Sequence, residues 1–334
     1  MTVVDLPTNG PAPASAEMAS ALASSKGAGP DKAFRGLAVA AGVTVLVILA
    51  LITYSTTSSA WPAFTKYGAG YFFSTDWRPN QQHFGILGFA WGTAVISFIG
   101  VLLAVPTSIG IALFATEVAP RRLRRSITTV MDLLAAVPSV VFGLVGVLVL
   151  RVPLGKLFRS IGDSVHGVPV LRDVLGQGSS GTSLLTAGIV LAIMITPIIT
   201  SVSREVFNTV PRNDKEGALA LGATRSEMIT GVVIPHSLGG LTGAVMLGLG
   251  RAMGETIAVT LLIGASSSPR ITANILGPSD AMPAAIARNL SEASGDFRAA
   301  LIGLGVTLFV ITMVINVGSR RLVAVVDRRM KGAA

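Results

Sequence analysis

One apolar run in this sequence contains two opposite charges. The stretch GLGRAMGETIAV, residues 248–259, places Arg251 and Glu255 four residues apart with apolar helix-forming sequence on both sides. That spacing predicts one shared helix face. Neither side chain tolerates lipid, because a charge at the centre of a bilayer costs about 2.5 kcal/mol or more. Both must face a bundle interior, a partner subunit or a water-filled path. Two roles fit. The pair is a buried ion pair that only fixes packing, or Arg251 meets a translocating anion while Glu255 holds it in place or offsets its charge. A guanidinium suits a tetrahedral oxyanion, because its planar fork offers fixed donors and stays charged. Gly248, Gly250 and Gly254 remove bulk around it. Gly250 and Gly254 form a small-xxx-small pair, repeated by Gly239 and Gly243. Such a pair seats a neighbouring helix closely or widens a pore.

The second informative segment is polar. Residues 204–235 include VFNTVPRNDKEGALALGATRSEMITGVVIP. Asn213 with Glu216 has capping-box spacing, as does Thr224 with Glu227, and each starts a short helix. Gly222 lies between them, where the chain turns without a Cβ penalty. Pro235 is expected to end the second element. The segment therefore reads as a helix–turn–helix at the membrane face, shaped as a plug for another protein or lying in the interface. No GxxxxGK[ST] loop for ATP occurs anywhere. If transport is active, a separate ATPase docks here.

Other polar residues carry less. Asp132 and Glu117 flank the arginine cluster Arg121, Arg122, Arg124 and Arg125, as interfacial groups or as its partners. Thr196 and Ser201 lie beside Pro197, where hydroxyls commonly bond back to the helix. His83, His166 and His236 form no metal motif, and no cysteine is present, which excludes disulfides and thiolate metal sites.

Positioning such residues requires membrane helices. Of 334 residues, 51% are hydrophobic and 13% charged, with a mean hydropathy of +0.69. A soluble domain usually carries about 25% charge. Six runs long enough to cross some 30 Å of hydrocarbon are expected at about 36–57, 86–116, 127–150, 182–203, 236–264 and 298–318. Pro106, Pro138 and Pro197 fall inside spans and predict kinks. The fold class is thus all-α, a polytopic six-helix membrane protein, with a permease domain over 36–320 and tails at 1–35 and 321–334. The first tail reads as disordered. Lys and Arg alternate across the loops, sixteen on one side against nine on the other. That places both termini in the cytoplasm. The net charge of +9 is parcelled between spans, which rejects a nucleic-acid reading. Trp61, Tyr67, Tyr71, Phe72 and Trp77 are expected as belt aromatics or as anchors of a short interfacial segment.

The 204–235 segment also carries a resemblance. Glu216-Gly217-Ala218, then Gly222, then Pro235 is similar to the EAA signature of ABC importer permeases, with Gly217 in place of the first Ala and Val232 and Ile234 before the Pro. Together with ATEVAPRRLRRSITTVMDLLAAVPSVVFGLVG at 115–146, TPIIT at 196–200 and GLGRAMGETIAV, the chain resembles phosphate permease subunits of the PstC type from the first span onward. The resemblance implies a MetI-like permease fold and no enzymatic activity or cofactor on this chain. It also implies a PstA-type second permease and two PstB-type ATPases that bind ATP and Mg2+. Delivery of inorganic phosphate would fall to a PstS-type extracellular lipoprotein, and sensing to an associated PhoU-type regulator. Arg251 and Glu255 match residues needed for transport in that family. A permease for sulfate or molybdate, a stand-alone secondary transporter in the lipid bilayer and a mainly sensory scaffold are the competing expectations.

Overall fold

The computed structural model describes residues 28–165, 173–175, 181–264, 266 and 271–331. The chain divides into two compact units, Met1–Ser55 and Thr56–Ala334. Helix α1 (Ala28–Phe73) begins in the first unit and ends in the second. Its side chains from Asp31 to Thr56 are all exposed. Helix therefore starts inside the expected tail, at Ala28 rather than Gly36. Gly68 leaves helical space (φ 53°, ψ −136°), so the run bends there into a last short turn.

The second unit is built on a seam between two long helices. After a two-residue hairpin, β1 (Trp77–Arg78) and β2 (His83–Phe84), comes α2 (Leu87–Leu113), whose last turn widens into a π-type turn over Phe114–Val118. Helix α6 (Leu184–Asn208) lies along it. Between lie α3 (Arg121–Ala135), α4 (Ser139–Val145) with a second wide turn over Gly146–Leu150, and α5 (Arg151–Val165). Lipid tails are as apolar as Leu, so helices in a bilayer associate through close packing rather than water exclusion. The seam has that character. A Cβ at Gly188 of α6 would lie 2.5 Å from Ile99 Cγ2, and one at Gly100 would lie 3.2 Å from Leu191. Ile96, Ala104, Leu191, Ile195 and Ile199 fill the rest. Pro106 and Pro197 sit inside helices that run through them. Pro138 instead stands at the N-terminal boundary of α4, so the expected 127–150 span is broken at residues 136–138.

The remaining elements close the two ends. Helix α7 (Arg212–Ala220) and the single turn α8 (Arg225–Met228) lie at one end, which we call the loop end. They rest on a cluster of Ala112, Phe207, Val210, Met228, Val233 and Leu241. The wide turn Ile229–Val233 then leads into α9 (Ile234–Gly254) without interruption. Pro235 does not end the second element as expected. A proline ring inside a regular helix clashes with the carbonyl four residues back, and the wide turn just before Pro235 removes that conflict. Helices α10 (Ile257–Leu262), α11 (Met282–Asn289) and α12 (Gly295–Lys331) follow. At the hairpin end Trp77 stacks edge-on against Phe84 and Phe89, and the Tyr71 hydroxyl donates to the Ala300 carbonyl at 2.7 Å. Tyr71 and Trp77 are buried there. They are core residues of that end rather than belt aromatics or anchors, because the chain folds back over them. Among the described residues six helical runs, Asp31–Phe73, Leu87–Val118, Ser139–Ser164, Leu184–Asn208, Arg225–Gly254 and Gly295–Arg321, are long and apolar enough to cross a membrane.

Candidate functional site

The expected Arg251–Glu255 face does not form. Helix α9 stops at Gly254, Glu255 is extended (φ −70°, ψ 126°), and helix resumes at Ile257. A break of this kind leaves helix-end groups without partners, and the two charges divide the task. Glu255 is buried, and its Oε1 accepts from the Ala258 N–H at 3.2 Å. A carboxylate capping a helix N-terminus is favoured both by that bond and by the local dipole. Arg251, in the last turn of α9, is exposed. No carboxylate among the described residues lies within ion-pair reach of it.

Arg251 instead stands at one end of a cavity of about 500 Å³ between α9 and α12. Gly239, Thr242, Gly243, Met246, Leu247 and Gly250 line the α9 side, and Asn316, Ser319 and Arg320 line the α12 side. Gly239 to Arg251 spans about 18 Å at the helical rise of 1.5 Å per residue. The α9 stripe is bare, since a Cβ at Gly243, Gly250 or Gly254 would meet nothing within 4 Å. The groove therefore holds two guanidiniums, an amide and two hydroxyls, and no carboxylate lines it among the described residues. Such a surface offers many donors to an oxyanion and no like-charge repulsion. Sequence reasoning singled out Arg251 and the glycines but did not place Asn316, Ser319 or Arg320 beside them. The recurrence of polar residues at 316, 319 and 320, one helix face at the end of an apolar run, is the signal that marks them.

At the loop end the signature residues have local physical reasons. Gly222 is left-handed (φ +88°) and ends α7. The Gly222 N–H donates to the Leu219 carbonyl at 3.0 Å and the Ala223 N–H to the Ala218 carbonyl at 3.1 Å, a Schellman closure that requires that conformation. The Leu221 N–H donates to the Gly217 carbonyl. Ala218 packs on the Phe207 cluster. Glu216 and Gly217 face outward, and Leu221 at the tip is 91% exposed. Thr224 and Glu227 form the expected capping box. The Asn213 box does not form, because α7 already starts at Arg212 behind Pro211. The acids near the arginine cluster pair elsewhere. Asp132 lies 3.9 Å from Arg204 and accepts from Ser201, and Glu117 pairs with Lys215 at 2.6 Å. Thr196 bonds back to the Ala192 carbonyl.

Residues 104–332 match the family described as binding-protein-dependent transport system inner membrane component. The phosphate transport system permease protein PstC of Mesorhizobium japonicum is 40% identical over 90% of this chain and 91% of its own length. PstC of Haemophilus influenzae is 41% identical over 84% and 88%, and PstC 2 of Mycobacterium tuberculosis 38% identical over 87% and 91%. Among solved structures, a bacterial alginate ABC transporter in complex with an alginate pentasaccharide-bound periplasmic protein aligns with a TM-score of 0.56 at 17% identity, over 89% of this chain and 97% of that one. An inward-facing MetNI methionine ABC transporter aligns with a TM-score of 0.51 at 14% identity, over 71% and 94%. These two share the fold. The chain belongs to the binding-protein-dependent transport system inner membrane components and, within them, to the PstC-type permeases.

Proposed function

We propose that the groove headed by Arg251 is this chain's half of a phosphate path and that the 204–235 segment is where an ATPase drives it. The chain is a membrane-spanning permease subunit of a phosphate ABC importer, as its likeness to PstC permeases along most of its length supports. One observation carries the path: Arg251 is exposed at the head of a groove, and among the described residues no carboxylate pairs with it or lines that groove. The bare glycine stripe beside it leaves that face to be completed by a PstA-type permease, which forms the other half. Arg251 of α9 and Arg320 of α12 hold the anion weakly at two points of the groove, since a tight site would not release it. Glu255 keeps the helix break in place and stays out of the path.

Two PstB-type subunits bind ATP and Mg2+, and one of them docks on the outward-facing Glu216, Gly217 and Leu221 of this chain. The loop end then lies in the cytoplasm with both termini, in accord with the Lys and Arg distribution. A PstS-type lipoprotein delivers phosphate at the hairpin end, and a PhoU-type regulator acts from the cytoplasmic side. Because α8 runs directly into α9, closure of the ATPases on the loop moves the helix that carries Arg251.

The test is reconstitution with the co-expressed subunits. Phosphate uptake that needs ATP and resists excess sulfate and molybdate is the expected result. Equal uptake of sulfate or molybdate favours the broader oxyanion permease, and uptake without ATP favours a secondary transporter.

A further inference from the structure

The loop reaches Arg251 through the backbone, but it reaches α2 only through side chains. The principal polar contact is Lys215. Its Nζ lies 2.6 Å from Glu117 Oε1 in the wide turn that ends α2, and it donates to the Phe207 carbonyl at 3.4 Å in the last turn of α6. The two side chains are only 18% and 9% exposed. Exposed ion pairs contribute little, because water and salt compete for both partners. A pair this sheltered is different, since removing one member strands the other charge. Its neighbour Glu216 is exposed. Helix α7 thus turns one charge outward and the next one inward, onto the ends of the two helices that form the central seam.

The far end of α2 is equally constrained. Three consecutive residues fasten it to the 272–282 segment. The Trp91 indole N–H donates to the Thr272 carbonyl at 2.9 Å, and the Met282 N–H donates to Thr93 Oγ1 at 3.0 Å. Between them, a Cβ at Gly92 would lie 1.9 Å from the Asp280 carbonyl oxygen, so the segment rests directly on the helix backbone. Asp280 is itself buried and paired with Arg288 of α11, which stiffens the segment. Helix α2 is therefore held by polar contacts at both ends, and it is packed against α6 in between.

We propose that the Lys215–Glu117 pair is the tie through which the loop drives α2, and that α2 is a rod that carries the movement to the 272–282 segment on the opposite side of the membrane. The loop then moves two helices in step, α9 through the chain and α2 through the ion pair. Lys215 and Glu117 are positioning residues and touch no substrate. The inference rests on the reading of 204–235 as the ATPase docking segment.

The test uses the complete complex with Lys215→Ala, Glu117→Gln and the reciprocal pair Lys215→Glu with Glu117→Lys. Because the chain has no cysteine, Ile271→Cys supplies a reporter thiol at a position 51% exposed, beside the Trp91 contact. Each single variant is expected to keep its ATPase subunits and go on hydrolysing ATP. Phosphate moved per ATP falls at least about fivefold, the scale of a lost coupling energy of roughly 1 kcal/mol. The ATP-dependent change in labelling at position 271 disappears, and the reciprocal pair restores both. An unchanged ratio in the single variants overturns the proposal. So does failure of the reciprocal pair to restore the ratio, and so does loss of the ATPase subunits, which makes the pair part of the docking surface. Lys215→Gln, which keeps most of the stem packed, replaces alanine if accumulation falls and is judged in the same way. Glu216→Lys in the same assay separates the two ideas. If it leaves ATPase binding and uptake unchanged, the docking reading itself fails, whatever Lys215 does.

Discussion

Helices α6 and α9 are both glycine-containing and apolar, yet they are finished differently. Burial covers 61% of the most apolar window of Leu184–Asn208 but only 28% of that of Arg225–Gly254. In α6 the small residues are spent inside the chain. Gly188 has no room for a methyl group against Ile99, and Ala187, Ala192 and Thr200 are buried. In α9 they are split between two faces. Gly240 and Gly248 are closed by Val206 and Ile199 of α6, while Gly243, Gly250 and Gly254 open onto empty space. The same residue type therefore serves as a packing contact on one face and as clearance on the other. The difference separates the structural seam of the subunit from the face proposed to meet substrate and partner.

Substitutions on the two faces should break this comparison if it is wrong. The largest effect is expected for Gly188→Val, which drives a branched side chain into Ile99 and costs about 2–3 kcal/mol or more. Accumulation of the subunit and its melting temperature in detergent should both fall. A Cβ at Gly250 has nothing within 4 Å among the described residues, so accumulation of Gly250→Val should stay near wild type. Phosphate uptake by the assembled complex should drop about tenfold as the groove narrows, a barrier change near 1.4 kcal/mol. Equal loss of accumulation in both variants would erase the distinction.

A smaller effect tests the hairpin end. Burial raises the Asp280 carboxyl from its ordinary 3.8 to about 6, against the opposing pull of the Arg288 guanidinium and of the Ala281 N–H. Between those values the folded chain holds a proton that the unfolded chain has released. The stabilising contribution is then complete below about pH 4 and is lost as pH rises through about 6. The melting temperature of wild type relative to Asp280→Asn should decline over that interval, because Asn does not titrate. A flat difference would contradict the assignment. The smallest effect is expected for Thr224→Ala, which removes one capping bond of the box that starts α8 and costs about 1 kcal/mol. It should slightly lower phosphate-stimulated ATPase activity with little change in assembly.

The membrane fold was legible in the sequence because six apolar runs are a one-dimensional signal, and each needs only length and composition to be seen. The turn at Gly222 and the Thr224 capping box were legible for the same reason, since each is decided within a few residues. What stayed hidden depends on contacts between distant segments. Glu117 and Lys215 are 98 residues apart, and no local spacing joins them. The aromatic group around Trp77 became a core only because α12 and the hairpin return to it. The break at Glu255 was hidden for another reason. Helical spacing gave Arg251 and Glu255 one face, but a buried carboxylate that caps a new helix overrides the propensity of its neighbours. Pro235 shows the reverse. A residue that stops a regular helix is carried through by a wide turn that periodicity does not reveal.

The central claim is that Arg251 faces the phosphate path rather than pairing inside the fold. The direct measurement is phosphate uptake and ATPase rate in a reconstituted complex carrying Arg251→Ala, with assembly checked first. We expect the complex to assemble and uptake to fall by about two orders of magnitude, the loss of one charge-assisted contact of roughly 3 kcal/mol. Uptake at the wild-type rate, or a complex that fails to assemble, would contradict it.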